Sequence, residues 1–154
     1  MATVSERDGH VLALVNALMP FRGGKCLAAA VLALTRQLDV RLAFVTERRE
    51  PQAHALALAD RQNLQQPFFY DHKTTPCRAV LQGEVVSVPC NVAELYPGQD
   101  GFQSYLGVPL KNEQGVTIGL LAVMDDKPFQ DEKLLREVLL PLAPRIAAEL
   151  ECVR

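Results

Sequence analysis

Hydrophobic positions along this chain are spaced for helices at both ends and for strands between them. Val11, Leu14, Val15, Leu18 and Met19 recur every three or four residues, and Pro20 with Gly23-Gly24 closes the run, which predicts a helix over 8–19. Leu27, Val31, Leu34 and Leu38 predict a second amphipathic helix over 25–38 with an alanine-rich flank. Val40 to Thr46 alternates like a strand, and Glu47-Arg48-Arg49-Glu50-Pro51 makes the turn that follows. Ala53 to Ala59 suits strand or helix, because alanine and leucine favour helix while the hairpin context favours a strand; it is read here as a strand.

Asn63 to Lys73 is irregular and carries Phe68-Phe69-Tyr70. Thr75-Pro76 reads as an N-cap followed by the first helical position, with a short helix over Cys77–Gln82 and Gly83 as its stop. Glu84 to Val88 is a predicted strand, and Pro89 to Gln103 a long loop. The strongest signal is a hairpin. Ser104-Tyr105-Leu106-Gly107-Val108-Pro109-Leu110 is joined through Lys111–Gly115 to Val116-Thr117-Ile118-Gly119-Leu120-Leu121-Ala122-Val123-Met124. Its second strand is apolar on both faces, so the sheet must be covered on both sides. Ile118, Leu120, Ala122 and Met124 are expected in one environment, Leu121 and Val123 in the other; which of the two meets helices stays open. Asp131 opens a last amphipathic helix carrying Leu134, Leu135, Val138, Leu139, Leu142, Ile146 and Leu150, with a kink or restart expected at Pro141 and Pro144.

This order predicts an α+β domain spanning 1–154: N-terminal helices within 8–39, sheet and loops over 40–126, and a C-terminal helix over 131–152. A length of 154 residues buries a core without disulfides or a metal. The formal net charge of -2 gives no footprint for nucleic acid or an anionic membrane. No apolar segment reaches bilayer length and no basic leader precedes one, so a cytoplasmic chain is expected. Cys26, Cys77, Cys90 and Cys152 are too far apart for a zinc knuckle or dithiol motif, and free thiols are expected. His10, His54 and His72 are equally dispersed, and no metal site is predicted.

Thr75-Pro76-Cys77 with Val80-Leu81, Leu95-Tyr96-Pro97, Ser104 to Leu110, Gly115 and Ile118 to Asp125 together resemble a GAF domain. The likeness is strongest to the bacterial subclass of the formate hydrogenlyase activator, sensor kinases and diguanylate cyclases, and it covers roughly 68–150. It implies a central antiparallel sheet of five or six strands, terminal helices on one face that often pair with a second subunit, and a ligand pocket under loops and a short helix on the other. Six of the nine aromatic residues lie between 68 and 105, in the segment the resemblance places over that pocket. The candidate ligand-binding residues are Phe69, Tyr70, Cys77, Cys90, Tyr96, Phe102, Tyr105 and Leu121. Asn91 is a further polar candidate on the long loop.

Cys77, near a helix N-terminus, has a position that lowers a thiol pKa, while burial would make it a packing residue; both readings stand. Asp125-Asp126 reads as a turn pair or a ligand-contacting pair. The asparagine-lysine, phenylalanine and aspartate-glutamate signature of cyclic-nucleotide GAF domains is absent, as is the cysteine-histidine pair of bilin attachment. Haem would need an axial ligand, for which His72 is the histidine near the pocket elements; no cofactor is named.

The reading is therefore a non-catalytic regulatory domain of a bacterial signalling system that binds an unidentified small molecule. It would form a homodimer through its terminal helices and relay ligand state to a C-terminal output domain such as a kinase, cyclase or transcriptional activator. The alternatives are a dimerisation module with a filled pocket and an enzyme resembling the free methionine-R-sulfoxide reductases. The two hairpin glycines, Gly107 and Gly119, are expected where a loop or ligand approaches the sheet.

Overall fold

The computed structural model describes residues 2–154, with side chains from Glu6 onward. Two helices, α1 (Ala2–Leu18) and α2 (Gly23–Leu38), lead into β1 (Leu42–Glu47) and β2 (Ala53–Asp60). The short strands β3 (Asn63–Leu64) and β4 (Phe68–Tyr70) precede helix α3 (Cys77–Leu81) and strand β5 (Val86–Val88). Helix α4 (Val92–Leu95) then leads to the hairpin of β6 (Ser104–Lys111) and β7 (Thr117–Asp125), and α5 (Glu132–Val153) ends the chain.

The strands form one antiparallel sheet in the order β3-β2-β1-β7-β6-β5, with β4 also on the outer edge of β2. The sheet is thus six positions wide, its outermost position split between β3 and β4. Residues 53–60 are a strand: their outer edge is taken by β3 and β4, so ladder bonding on both sides overrides the helical preference of alanine and leucine.

The central strand β7 is buried along its whole length. Leu121 and Val123 join the core with α1, α2 and α5, while Leu120, Ala122 and Met124 join the core on the opposite face. Ile118 departs from the expected alternation. Leu110 pairs with Gly119 but Lys111 pairs with Thr117, so Ile118 is the extra residue of a bulge and turns to the helix side.

Gly107 and Gly119 mark close packing within the fold itself. A Cβ on Gly107 would lie 2.5 Å from Tyr105 Oη, because the Tyr105 ring folds along its own strand across the glycine. A Cβ on Gly119 would run into the Thr46 carbonyl oxygen of β1 and sit 2.7 Å from Leu150 Cδ2 of α5.

Asp131 caps α5, its side chain accepting a hydrogen bond from Leu134 N at 3.0 Å. The helix runs through Pro141 and Pro144 without a restart. Both prolines are exposed, so the carbonyls they leave unbonded face water. The Glu149 carboxylate accepts from Gly23 N at 2.8 Å and pairs with Arg145 at 3.0 Å, while Arg145 also donates to the Leu18 and Phe21 carbonyls. This clamp fixes the α1–α2 junction on α5. The bond from Gly23 holds the Glu149 carboxyl below its usual range, reinforced by Arg145 and opposed by burial.

Candidate functional site

On the sheet face away from α1, α2 and α5, a cavity of about 260 Å³ opens between the strands and the segment carrying α3 and α4. Its floor is made of inward-facing strand residues: Leu42 and Phe44 of β1, Ala55 and Leu58 of β2, Tyr105 of β6 and Met124 of β7. Phe68 and Tyr70 of β4 form one wall. Thr75 and Cys77 at the start of α3, with Gln99 and Phe102 after α4, complete it, and Asp71 lies at the edge. A larger cleft of about 410 Å³ lies where helix ends meet, among His10, Asp39, Lys127 and Asp131. It is a seam of mixed charge, whereas the smaller cavity has the aromatic walls typical of small-molecule sites.

The local sequence explains each position. On β4, period-two alternation turns Phe68 and Tyr70 to the cavity and Phe69 away. The Thr75 hydroxyl accepts from Cys77 N at 3.2 Å, orienting the first turn of α3, although Pro76 rather than Thr75 occupies the N-cap. The segment after β5 folds back through Val92 N to Gln103 O at 2.9 Å and Gln103 N to Asp125 O at 2.9 Å. The buried Val92 anchors it. Phe102 is held from outside by Arg41, whose guanidinium lies 5.0 Å from the ring centroid and is itself paired with Asp60 and Asp126.

The polar groups of the wall satisfy one another. Tyr105 Oη donates to Cys77 Sγ at 3.3 Å, and the Tyr70 and Thr46 hydroxyls share a hydrogen bond at 2.9 Å. Burial pushes the Cys77 thiol up, more than the Tyr105, Tyr70 and Thr75 hydroxyls pull it down. Burial, and then the neighbouring Cys77, raise Tyr70 and Tyr105 above the ordinary phenol range. Burial thus favours the uncharged form of all three groups.

Of the candidate residues, Tyr70, Cys77, Phe102 and Tyr105 come together around this cavity. Tyr96 packs against the same apolar cluster but does not reach the wall. Three candidates lie elsewhere. Phe69 stacks on His54 with centroids 4.2 Å apart, on the opposite side of β4. Cys90, beyond the end of β5, is exposed to solvent, and Leu121 belongs to the helix-side core through strand parity. Asn91 adopts a left-handed conformation with φ 60° ahead of α4, where its N–H donates to Gln103 Oε1. Asp125 is buried and accepts from Asp126 N at 2.8 Å, while Asp126 pairs with Arg61 at 2.7 Å, so this acidic pair builds a turn.

His72 is buried outside the cavity. Its Nε2 lies 3.5 Å from Glu50 Oε1 in a separate cleft, and the cavity wall contains no histidine to serve as an axial ligand. Among the described residues, no group of three or more histidine, cysteine or acidic side chains could hold a metal.

Leu42, Phe44, Ala55, Leu58, Phe68, Asp71, Thr75, Gln99 and Met124 also line the cavity without being among the candidate ligand-binding residues, and Thr46 stands behind the wall bonded to Tyr70. Phe44 and Thr46 carried a usable signal, since they alternate on β1 with Leu42, but sequence alone did not say which side of the sheet their face met.

The burial of the cysteines makes a prediction. Alkylation of the native protein should modify Cys90 and Cys152 and spare Cys26 and Cys77, which should react only in denaturant. Peptide mass mapping checks this, and modification of Cys77 as fast as Cys90 would contradict a buried, neutral thiol.

Residues 23–150 match the family profile described as the GAF domain, and the chain belongs to that family. GAF domains are in general sensory, small-molecule-binding or regulatory domains. No curated protein sequence matches the chain. Among solved structures, the chain is similar to the GAF domain from an Acinetobacter phosphoenolpyruvate-protein phosphotransferase, with a TM-score of 0.78 and 15% identity over 95% of this chain and 93% of that one. The corresponding domain from Coxiella burnetii gives 0.78 and 14%, covering 96% and 94%. A free methionine-R-sulfoxide reductase from Neisseria meningitidis, in complex with its substrate, gives 0.73 and 17%, covering 98% and 91%. At these identities the likeness shows the fold.

Proposed function

We propose that this chain is a non-catalytic sensory domain that binds a small molecule in the aromatic cavity and passes its occupancy to the terminal helices. The observation that carries this reading is the position of β7. One side of the strand, through Met124, lines the cavity, and the other, through Leu121 and Val123, packs against the helices. A ligand and the helical layer are thus separated by one thickness of sheet, and occupancy shifts the helices by as much as the ligand prefers one arrangement over the other. The cysteines support a non-catalytic role, because Cys77 is buried and neutral while Cys90 stands in solvent away from the cavity. That arrangement offers no pair of thiols to a substrate bound in the cavity, which weighs against the reductase reading.

The helical layer carries an uncovered apolar stripe. Leu12 is 61% exposed and Val15 39% on α1, Met19 just beyond its end is 57% exposed at the same spacing, and Leu140 of α5 is also exposed. A second copy would cover this stripe in a two-fold bundle, and α5 would relay the change to a C-terminal output domain such as a kinase, cyclase or transcriptional activator. We place the domain in the cytoplasm, where the exposed thiols of Cys90 and Cys152 stay reduced. None of its described helices is long and apolar enough to cross a membrane.

The stripe also supports a second reading, a dimerisation module whose cavity is filled by its own side chains. Native mass spectrometry separates the two. The sensory reading predicts a dimer that retains a small molecule or takes one up. A dimer that stays empty under every condition supports the second reading, and a monomer at micromolar concentration contradicts the bundle in both.

A further inference from the structure

We infer that the cavity is selective for uncharged, apolar ring compounds and rejects anions; this rests on the sensory reading above and specifies its ligand. The charge inventory of the wall carries the inference. Asp71 is the one ionised side chain around the cavity, and it is an acid. No lysine, arginine or histidine lines it, and the nearest guanidinium, that of Arg41, lies against the Phe102 ring and is paired with Asp60 and Asp126. A carboxylate or phosphate entering here would lose its water among aromatic and aliphatic walls and gain no counter-charge.

The wall hydroxyls are already engaged within the protein: Tyr105 donates to Cys77, Thr75 donates to the His72 carbonyl, and Tyr70 shares a bond with Thr46. Among the described residues, the Gln99 side chain at the edge makes no hydrogen bond within the protein, so one neutral polar contact is on offer. A volume of about 260 Å³ falls below the range of about 300–1,000 Å³ that holds drug-sized ligands, which suits a molecule of one or two fused rings. Asp71 does not by itself turn the site to cations. Its carboxylate is exposed and accepts from Lys73 N at 2.9 Å, where water screens it.

Three probes sharing one ring system test the charge rule: indole, indole-3-acetate and tryptamine. The chain contains no tryptophan, so the fluorescence of each probe reports its own binding to the 154-residue chain. Indole is expected to bind, and indole-3-acetate and tryptamine, each bringing a charge into the apolar wall, at least about tenfold more weakly. Phe68→Ala, where the phenylalanine is 43% exposed, should weaken indole without unfolding the domain.

Equal or tighter binding of indole-3-acetate would overturn the inference while leaving the cavity a ligand site. So would tryptamine binding as tightly as indole or more tightly, which would place an ammonium on Asp71. If none of the probes binds up to its solubility limit, the ring-compound inference is overturned, while the sensory reading stands or falls on the native mass spectrometry above.

Discussion

Gly119→Ala is expected to destabilise the fold by about 3 kcal/mol or more, at the upper end of what overpacking a core costs. The added Cβ would collide with the Thr46 carbonyl oxygen, which belongs to the β1 backbone in the ladder with β7, and would press on Leu150 of α5. Neither neighbour can yield cheaply. Moving Thr46 opens the ladder at the centre of the sheet, and moving Leu150 opens the helix-side core. For a domain of this size the loss corresponds to a fall in Tm of about 10 °C. Gly107→Ala meets only the Tyr105 ring, which can rotate, so its main effect should be to break the Tyr105–Cys77 contact and reshape the cavity floor. Urea unfolding compares the two variants, and a Gly119→Ala protein within about 1 kcal/mol of wild type would refute the contact as described.

Leu121→Ala should also cost about 3 kcal/mol, because the side chain is fully buried between the sheet and the helices and its removal leaves a cavity there. At temperatures where the variant remains folded, indole binding should be unchanged. The exposed wall residue Phe68 makes the opposite prediction: Phe68→Ala should change stability little and weaken probe binding. This double dissociation tests the assignment of the two sheet faces. A Leu121→Ala protein of normal stability that loses probe binding would reverse it.

The hairpin of β6 and β7 was legible in sequence because glycine and polar turn residues separate two long apolar runs, a pattern set by local chemistry. The helices were legible for a similar reason, and Asp131 announced the start of α5. Other features depend on contacts distant in sequence. The β4 strand exists through pairing of Phe68–Tyr70 with Ala53–Ala55, and nothing local in Asn63–Lys73 specifies that partner. The α4 turn depends on the fold-back of Gln103 onto Val92. The bulge at Ile118 comes from the registers of two neighbouring strands, so period-two alternation carried one residue too far. The Glu149 cap on Gly23 spans most of the chain.

The candidate site shows the same division. Aromatic clustering pointed to Tyr70, Phe102 and Tyr105, which the fold brings together around the cavity, because loops that cover a sheet are anchored by rings. Which of two adjacent phenylalanines faces inward is decided by strand register, and this is why Phe68 rather than Phe69 lines the wall. Leu121 was assigned to the site without knowledge of which face of β7 met the helices.

The central claim is that cavity occupancy is felt across the sheet by the terminal helices. Hydrogen–deuterium exchange of the full chain, with and without saturating indole, tests it most directly. The account predicts slower exchange in 68–77 and 96–103 on binding, together with a change in α1 or α5, neither of which touches the cavity. Protection confined to the cavity segments, with α1 and α5 exchanging as in the free protein, would contradict it.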